Sequence, residues 1–125
     1  MIFLWGPVII WMALIFYISG IPSLNSGLGI WDFILRKCAH VFEYAVLTGL
    51  LIRAIRKSWT NGLVLPIAFW AAGISLLYAI SDEFHQSFVP GRGPSSLDVA
   101  VDSIGIVLCA YVWIKSVGYF RLKKL

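Results

Sequence analysis

No residue between Ile2 and Ser19 carries a charge, and the same holds from Leu63 to Ser81. Charge-free runs of this length read as membrane-spanning helices, because about 20 apolar residues in helical form cross the hydrocarbon layer. Lipid offers the backbone no hydrogen-bond partner, so the segment must satisfy its own N–H and C=O groups, as a helix does. Two further stretches have the same character with a few polar interruptions. Cys38 to Ile52 holds His40 and Glu43, and Leu97 to Ile114 holds Asp98 and Asp102 in its first turns. The spans are therefore expected at about 2–19, 37–53, 63–81 and 97–115. Four spans use roughly 80 residues of a 125-residue chain that is 60% hydrophobic and 13% charged. That leaves short loops and no room for a soluble domain. The reading is a single domain over 1–125, all-α, a polytopic four-helix transmembrane bundle.

Several local features refine this reading. Pro7 falls in the first turns of the first span, where proline costs least. That span has no basic n-region and no small-x-small cleavage site after it, so it is expected to remain as a helix rather than act as a cleaved signal. Gly20 to Leu35 begins with the turn formers Pro22 and Asn25 and ends in Ile30-Trp31-Asp32-Phe33-Ile34-Leu35, which reads as a short interfacial helix. The second span is short, and the stems of Lys37 and Arg53 can snorkel to extend it. Lys37, His40 and Tyr44 share one face at i, i+3, i+7, with Glu43 on the flank. Ser81 to Asp98 is the most polar stretch and reads as the wet turn joining the third and fourth spans. Ser95 or Ser96 is expected to N-cap the fourth helix, with Ser95-x-x-Asp98 as a capping box in which Asp replaces Glu. Asp98, Asp102, Gly105 and Cys109 lie on one face of that helix, and Gly105 would let another helix approach closely.

Charge then sets an orientation. Arg53, Arg56, Lys57, Lys115, Arg121, Lys123 and Lys124 fall on the side of the two termini, and Arg36, Lys37 and Arg92 on the other. The excess of cations on the first side places both termini in the cytoplasm. The net charge of +4 is accounted for by this pattern and does not point to nucleic acid. All six acidic residues fall toward the other end: Asp32, Glu43, Asp82, Glu83, Asp98 and Asp102. His40, His85, Gln86 and Arg92 join them, so a polar cluster is expected at the outer face.

The pattern Lys37-x-x-His40-x-x-x-Tyr44-x-x-Leu47 is followed by Ser81-Asp82-Glu83-x-His85-Gln86-x-Phe88-Val89-Pro90-Gly91-Arg92-x-x-Ser95-x-x-Asp98-Val99-x-x-Asp102-x-x-Gly105. Together they resemble the VanZ-like family of small bacterial membrane proteins. The likeness runs from about Lys37 to Gly105, and its Asp-Glu-x-x-Gln-x-Phe-x-Pro-Gly-Arg core is specific. The family's namesake is associated with low-level resistance to the glycopeptide teicoplanin. The resemblance implies a protein of the bacterial cell envelope and supplies no reaction.

The residues themselves allow several chemistries. Asp82, Glu83, His40 and Asp102 are candidate acid/base groups, and the carboxylates are also candidate ligands for a hard cation. Lys37, Arg92, Gln86, Asp98, Glu43 and Tyr44 are candidate ligand-binding groups. The competing structural reading is an ionic clamp in which Arg36, Lys37 and Arg92 pair with these acids, Arg92 with Asp98 or Asp102. His40 is read against Glu43 as a relay or a satisfied pair, and His85 as a solvated helix-end residue. The turn Pro90-Gly91-Arg92 would aim a guanidinium suited to phosphate or carboxylate. Cys38 and Cys109 lie within spans without metal-ligand spacing, the His/Glu/Asp set lacks a known zinc spacing so that zinc is only weakly signalled, and the cofactor is left unknown.

Three functions are compatible with this reading. The first is binding or acting on an envelope lipid or lipid-linked wall precursor at the outer face. The second is a membrane enzyme using acid/base or metal-assisted chemistry on a phosphate-bearing lipid. The third is a small proton-coupled carrier, the weakest because the ionisable residues cluster at one end. A cysteine introduced at position 93 is expected to react with a membrane-impermeant thiol reagent from the outside; labelling only from the cytoplasm would invert the topology.

Overall fold

The computed structural model describes residues 1–22, 27–59 and 63–122, with side chains placed through Gly118. The expectations for Asn25, Lys123 and Lys124, and for the Arg121 side chain, lie outside the described residues. The described residues form four helices: α1 (Ile2–Ser19), α2 (Ile30–Ser58), α3 (Val64–Gln86) and α4 (Ser96–Leu122). Among the described residues there is no strand. Each helix contains a segment long and apolar enough to cross a membrane.

The helix boundaries differ from the sequence expectation at the polar end. α2 starts at Ile30, so residues 30–35 continue into the second span and form no separate interfacial helix. Nothing between Trp31 and Lys37 breaks a helix, and Gly29, at φ +60°, takes up the reversal just before it. At 29 residues α2 is about 44 Å long, which exceeds a hydrocarbon layer of about 30 Å. Its ends therefore project into the headgroup layers, or the helix tilts.

α3 likewise runs past Ser81 to Gln86. Half of the stretch read as a wet turn is thus helical, and its polar residues keep the helical period. Ser75, Ala79, Asp82, Glu83 and Gln86 are buried on one side, while Ser81 and Phe84 are exposed. The true turn is Val89-Pro90-Gly91-Arg92, closed by a bond from the Arg92 N–H to the Val89 carbonyl at 3.1 Å. Proline at its second position and glycine at φ +80° at its third are the requirements of a type II turn.

α2 and α4 form the most extensive helix pair, and α1 and α4 make no contact among the described residues. α2 and α4 run parallel. Lys37 meets Asp98 and His40 meets Asp102. One turn on, a Cβ placed on Gly105 would clash with the Val41 carbonyl oxygen and sit 3.2 Å from the Ala45 nitrogen. Further along, Gly49 faces the Cys109 sulfur. The face Asp98, Asp102, Gly105, Cys109 thus packs against α2 along its length. Backbone contact of this kind is possible only without a side chain on Gly105.

α1 is held by polar tethers as well as by packing of Val8 and Ile15 in the core. The Trp11 indole donates to the Glu43 carbonyl at 2.9 Å, and the Tyr78 hydroxyl to the Met12 carbonyl at 2.6 Å. Pro7 cannot donate the N–H that would satisfy the Phe3 carbonyl, and the Arg53 guanidinium reaches that oxygen at 3.4 Å. At mid-bundle, Thr48 and Ser75 share a buried hydrogen bond of 2.9 Å between α2 and α3. Large apolar side chains such as Ile10, Phe69, Leu77, Leu108 and Val112 point outward. In water that surface would drive association. It fits a multi-pass membrane protein.

Gly105→Val is expected to destabilise the bundle by about 1–3 kcal/mol or more, the usual cost of overpacking. Gly73→Ala, at a site with nothing within 4 Å of a new Cβ, is expected to be neutral. Thermal unfolding of the two variants in the same detergent checks this contrast.

Candidate polar ligand site

The C-terminal ends of α1 and α3 and the N-terminal ends of α2 and α4 gather the polar side chains at one end of the bundle. The His40 Nδ1–H donates to the Asp102 Oδ1 carboxylate oxygen at 2.9 Å. Asp102 is 1% exposed, so this pair is nearly desolvated on the carboxylate side. The expected partner of His40 was Glu43; the structure gives it Asp102 instead, because both face the seam between α2 and α4. With Nδ1 committed, Nε2 is the ring nitrogen left for a ligand. Lys37 forms an ion pair with Asp98, and its ammonium also lies 5.2 Å from the centre of the Phe33 ring.

Asp82 and Gln86, one turn apart on α3, share a hydrogen bond of 3.2 Å from Nε2 to Oδ2. Both are 3% exposed. Asp82 Oδ1 and the Tyr44 hydroxyl are the buried side-chain polar atoms without a hydrogen-bond partner among the described residues. The Ser19 side chain also interacts with the Asp82 carboxyl. Glu83 turns away from this group and accepts the backbone N–H of Ser95. It thereby supplies from α3 the bond that the capping-box reading assigned to Asp98. Asp98 is instead drawn to Lys37, and the hydroxyls of Ser95 and Ser96 make no capping bond among the described residues.

Arg92 also departs from expectation. Its Nη1 donates to the Ser19 carbonyl at 3.2 Å and pairs with neither Asp98 nor Asp102. A guanidinium at the last carbonyls of α1 is favoured both by the hydrogen bond and by the helix dipole. His85 is not a solvated helix-end residue. Its ring stacks on Phe16 with centroids 3.9 Å apart, and Nδ1 lies 3.3 Å from the Ser19 hydroxyl. Both contacts fasten α1 to the polar end. The ionic clamp therefore exists at Lys37–Asp98, while Arg36 makes no ion pair among the described residues.

Two adjoining clefts open among these groups. The larger, about 240 Å³, is lined by Phe33, Arg36, Lys37, His40, Gln86, Arg92 and Asp98 together with Gly91 and Gly93. The smaller, about 80 Å³, shares Arg36, His40, Gln86 and Arg92 and adds Ser19, Glu43 and Asp82. Of the candidate residues, Glu83, Asp102 and Tyr44 line neither cleft. Asp102 is bonded to His40 behind the cleft, Glu83 caps α4, and Tyr44 is wholly buried in the core. Arg36, Phe33 and Ser19 line the clefts and were not singled out as ligand groups. Arg36 had a signal, since it follows Phe33 by three residues and precedes His40 by four, on one helical face. Ser19 had none, because it is brought in by the packing of α1.

The arrangement can hold an anion between guanidinium, ammonium and imidazole groups, and it can move a proton at His40. Among the described residues no group of three or more His, Cys, Asp or Glu side chains is arranged to hold a metal ion. The carboxylates once considered as a cation cage are separately engaged with Lys37, His40, Gln86 and the Ser95 N–H.

Glu83→Ala is expected to cost about 1–3 kcal/mol by leaving the Ser95 N–H without its acceptor. Ser95→Ala, which deletes no hydrogen bond among the described residues, is expected to be near neutral. Unfolding midpoints of the two variants provide the comparison.

The VanZ/LLP1 family model matches residues 4–119, which include every residue of both clefts. No curated protein and no solved structure matches the chain. The match takes in all but the ends of the sequence, and the chain belongs to the VanZ/LLP1 family.

Proposed function

We propose that this protein sits in the bacterial cell membrane with both termini in the cytoplasm and uses its polar clefts to bind the phosphate-bearing head of an envelope lipid or lipid-linked wall precursor at the outer face. The observation that carries this reading is the convergence of three cations, Arg36, Lys37 and Arg92, on a single cleft of about 240 Å³. Of the three, among the described residues, only Lys37 has a carboxylate partner there. Arg36 is uncommitted among the described residues, and Arg92 uses one nitrogen on the Ser19 carbonyl. A guanidinium has five N–H donors, so Arg92 keeps most of its capacity for a bidentate grip on phosphate. The excess of cations at the opposite end of the bundle supports the orientation. Sequestering or altering a wall precursor there would change how a glycopeptide such as teicoplanin reaches its target.

A second reading is enzymatic and rests on His40 and Asp102. A buried carboxylate that fixes an imidazole through Nδ1 is the arrangement by which a general base is oriented. In that case His40 Nε2 would transfer a proton at a ligand held by the three cations. The carrier reading gains nothing comparable, since the mid-bundle polar groups Thr48 and Ser75 are spent on each other.

The test is growth in teicoplanin of cells carrying the wild type, Arg36→Ala, Arg92→Ala or Asp102→Asn, with membrane levels of each variant measured. Loss of a charge-assisted contact of about 1.5–3 kcal/mol weakens binding roughly tenfold or more. Protection is therefore expected to fall to the level of cells without the protein for both arginine variants at unchanged abundance. If only Asp102→Asn abolishes it, the enzymatic reading prevails. No protection from the wild type removes the glycopeptide role.

A further inference from the structure

The opposite end of the bundle carries a second groove that the polar clefts do not involve. It lies between the C-terminal part of α2 and α4, has a volume of about 410 Å³, and is lined by Gly49, Ile52, Arg53, Arg56, Lys57 and Trp113. The α2 residues follow i, i+3, i+4, i+7, i+8, so they form one continuous stripe on the helix. Along that stripe the chemistry changes in order. Gly49 and Ile52 give an apolar floor, and Arg53, Arg56 and Lys57 give a cationic end about 12 Å further along the helix.

We infer that this groove binds one anionic phospholipid, its phosphate held by Arg53, Arg56 and Lys57 and an acyl chain laid over Gly49, Ile52 and Trp113. Charge supports an anion at this end of the molecule. No acidic residue occurs before Asp32, between Glu43 and Asp82, or after Asp102, so no carboxylate on these segments competes for the cations. Arg56 and Lys57 are exposed and make no hydrogen bond or ion pair among the described residues. Arg53 uses one nitrogen on the Phe3 carbonyl at 3.4 Å and retains its other donors. Shape supports a lipid rather than a free anion. Gly49 deepens the groove by leaving out a side chain, and the part-buried Trp113 packs against the core. Its indole N–H, without a partner among the described residues, faces no competing use at a depth where tryptophan meets headgroups. Basic pockets between membrane helices are the sites at which acidic lipid heads are held.

Two simpler roles compete for the same cations. Arg56 and Lys57 stand in the last turn of α2, where they complement the helix dipole, and all three cations help to orient the chain. Neither role distinguishes one headgroup from another or depends on the groove.

Native mass spectrometry of the full chain, released from bilayers containing equal amounts of phosphatidylglycerol and phosphatidylethanolamine with matched acyl chains, separates these possibilities. One phosphatidylglycerol is expected to be retained in preference. Arg56→Gln with Lys57→Gln is expected to lower its retention about fivefold for each charge removed, the effect of one basic residue near an anionic surface. Each single variant is expected to give about one fivefold step, which keeps the test decisive if the pair together fails to fold. Lys115→Gln removes a cation that lies against Tyr111, outside the groove, and is expected to leave retention unchanged. Equal loss from Lys115→Gln and from the groove variants would overturn the assignment in favour of diffuse attraction. So would retention of the two headgroups in equal amounts.

Discussion

The approach of α4 to α2 at Gly105 sets the register on which the polar end depends. With no side chain there, the α4 backbone lies directly against the Val41 carbonyl and the Ala45 nitrogen. A helix fixed at one such point has its neighbouring turns fixed as well. The turn before Gly105 brings Asp102 to His40, and the one before that brings Asp98 to Lys37. A shift of α4 by one turn, about 5.4 Å, would leave Lys37 opposite Asp102 and His40 opposite Gly105. Lys37 would keep a carboxylate, but Asp98 and His40 would lose their partners near the membrane, at a cost of several kcal/mol. Steric closeness and charge pairing thus select the same arrangement.

Much of this was legible in the sequence, and the reason is periodicity. Charge-free runs gave the helices, and the i, i+4 and i+3 spacing of Asp98, Asp102 and Gly105 gave the face of α4 that packs on α2. The polar stretch from Ser81 to Asp98 was harder. Polarity alone suggested a turn, but Asp82, Glu83 and Gln86 are polar residues on the inward face of a helix. Burial of polar groups is possible there because partners exist on other elements, and those partners are far away in sequence. The same limit explains Arg92 and His85. Nothing local to either residue reveals that the end of α1 lies beside it, and Ser19 becomes visible as a site residue only once α1 is packed. Pairing of His40 with Glu43 was the natural local reading, and a long-range contact displaced it.

The fold gives its two ends opposite characters. At one end, cations and carboxylates are interleaved, with Lys37 and His40 each matched to an aspartate and Arg36 and Arg92 left to face the clefts. At the other, cations stand without any acidic side chain on the adjoining segments. A neutral core separates them, built from Tyr44, Leu47, Leu51, Ile67 and Ala71, with the Thr48–Ser75 bond at its centre. The first end is suited to a ligand that needs several kinds of polar contact at once. The second offers a uniform field with an apolar floor beneath it.

The parallel pairing of α2 with α4 also fixes an order of assembly. The partners of Lys37 and His40 stand 61 and 62 residues later in the chain. During synthesis α2 therefore enters the bilayer with an ammonium and an imidazole that have no counter-ions, and it remains so until α4 arrives. α1 finds its first partners sooner, since Trp11 and the Phe3 carbonyl bond to Glu43 and Arg53 of α2, and Tyr78, His85 and Arg92 add later tethers. The polar end is therefore the part of the bundle whose pairing needs the last helix. A chain halted before α4 would hold Lys37 and His40 without the aspartates that pair with them.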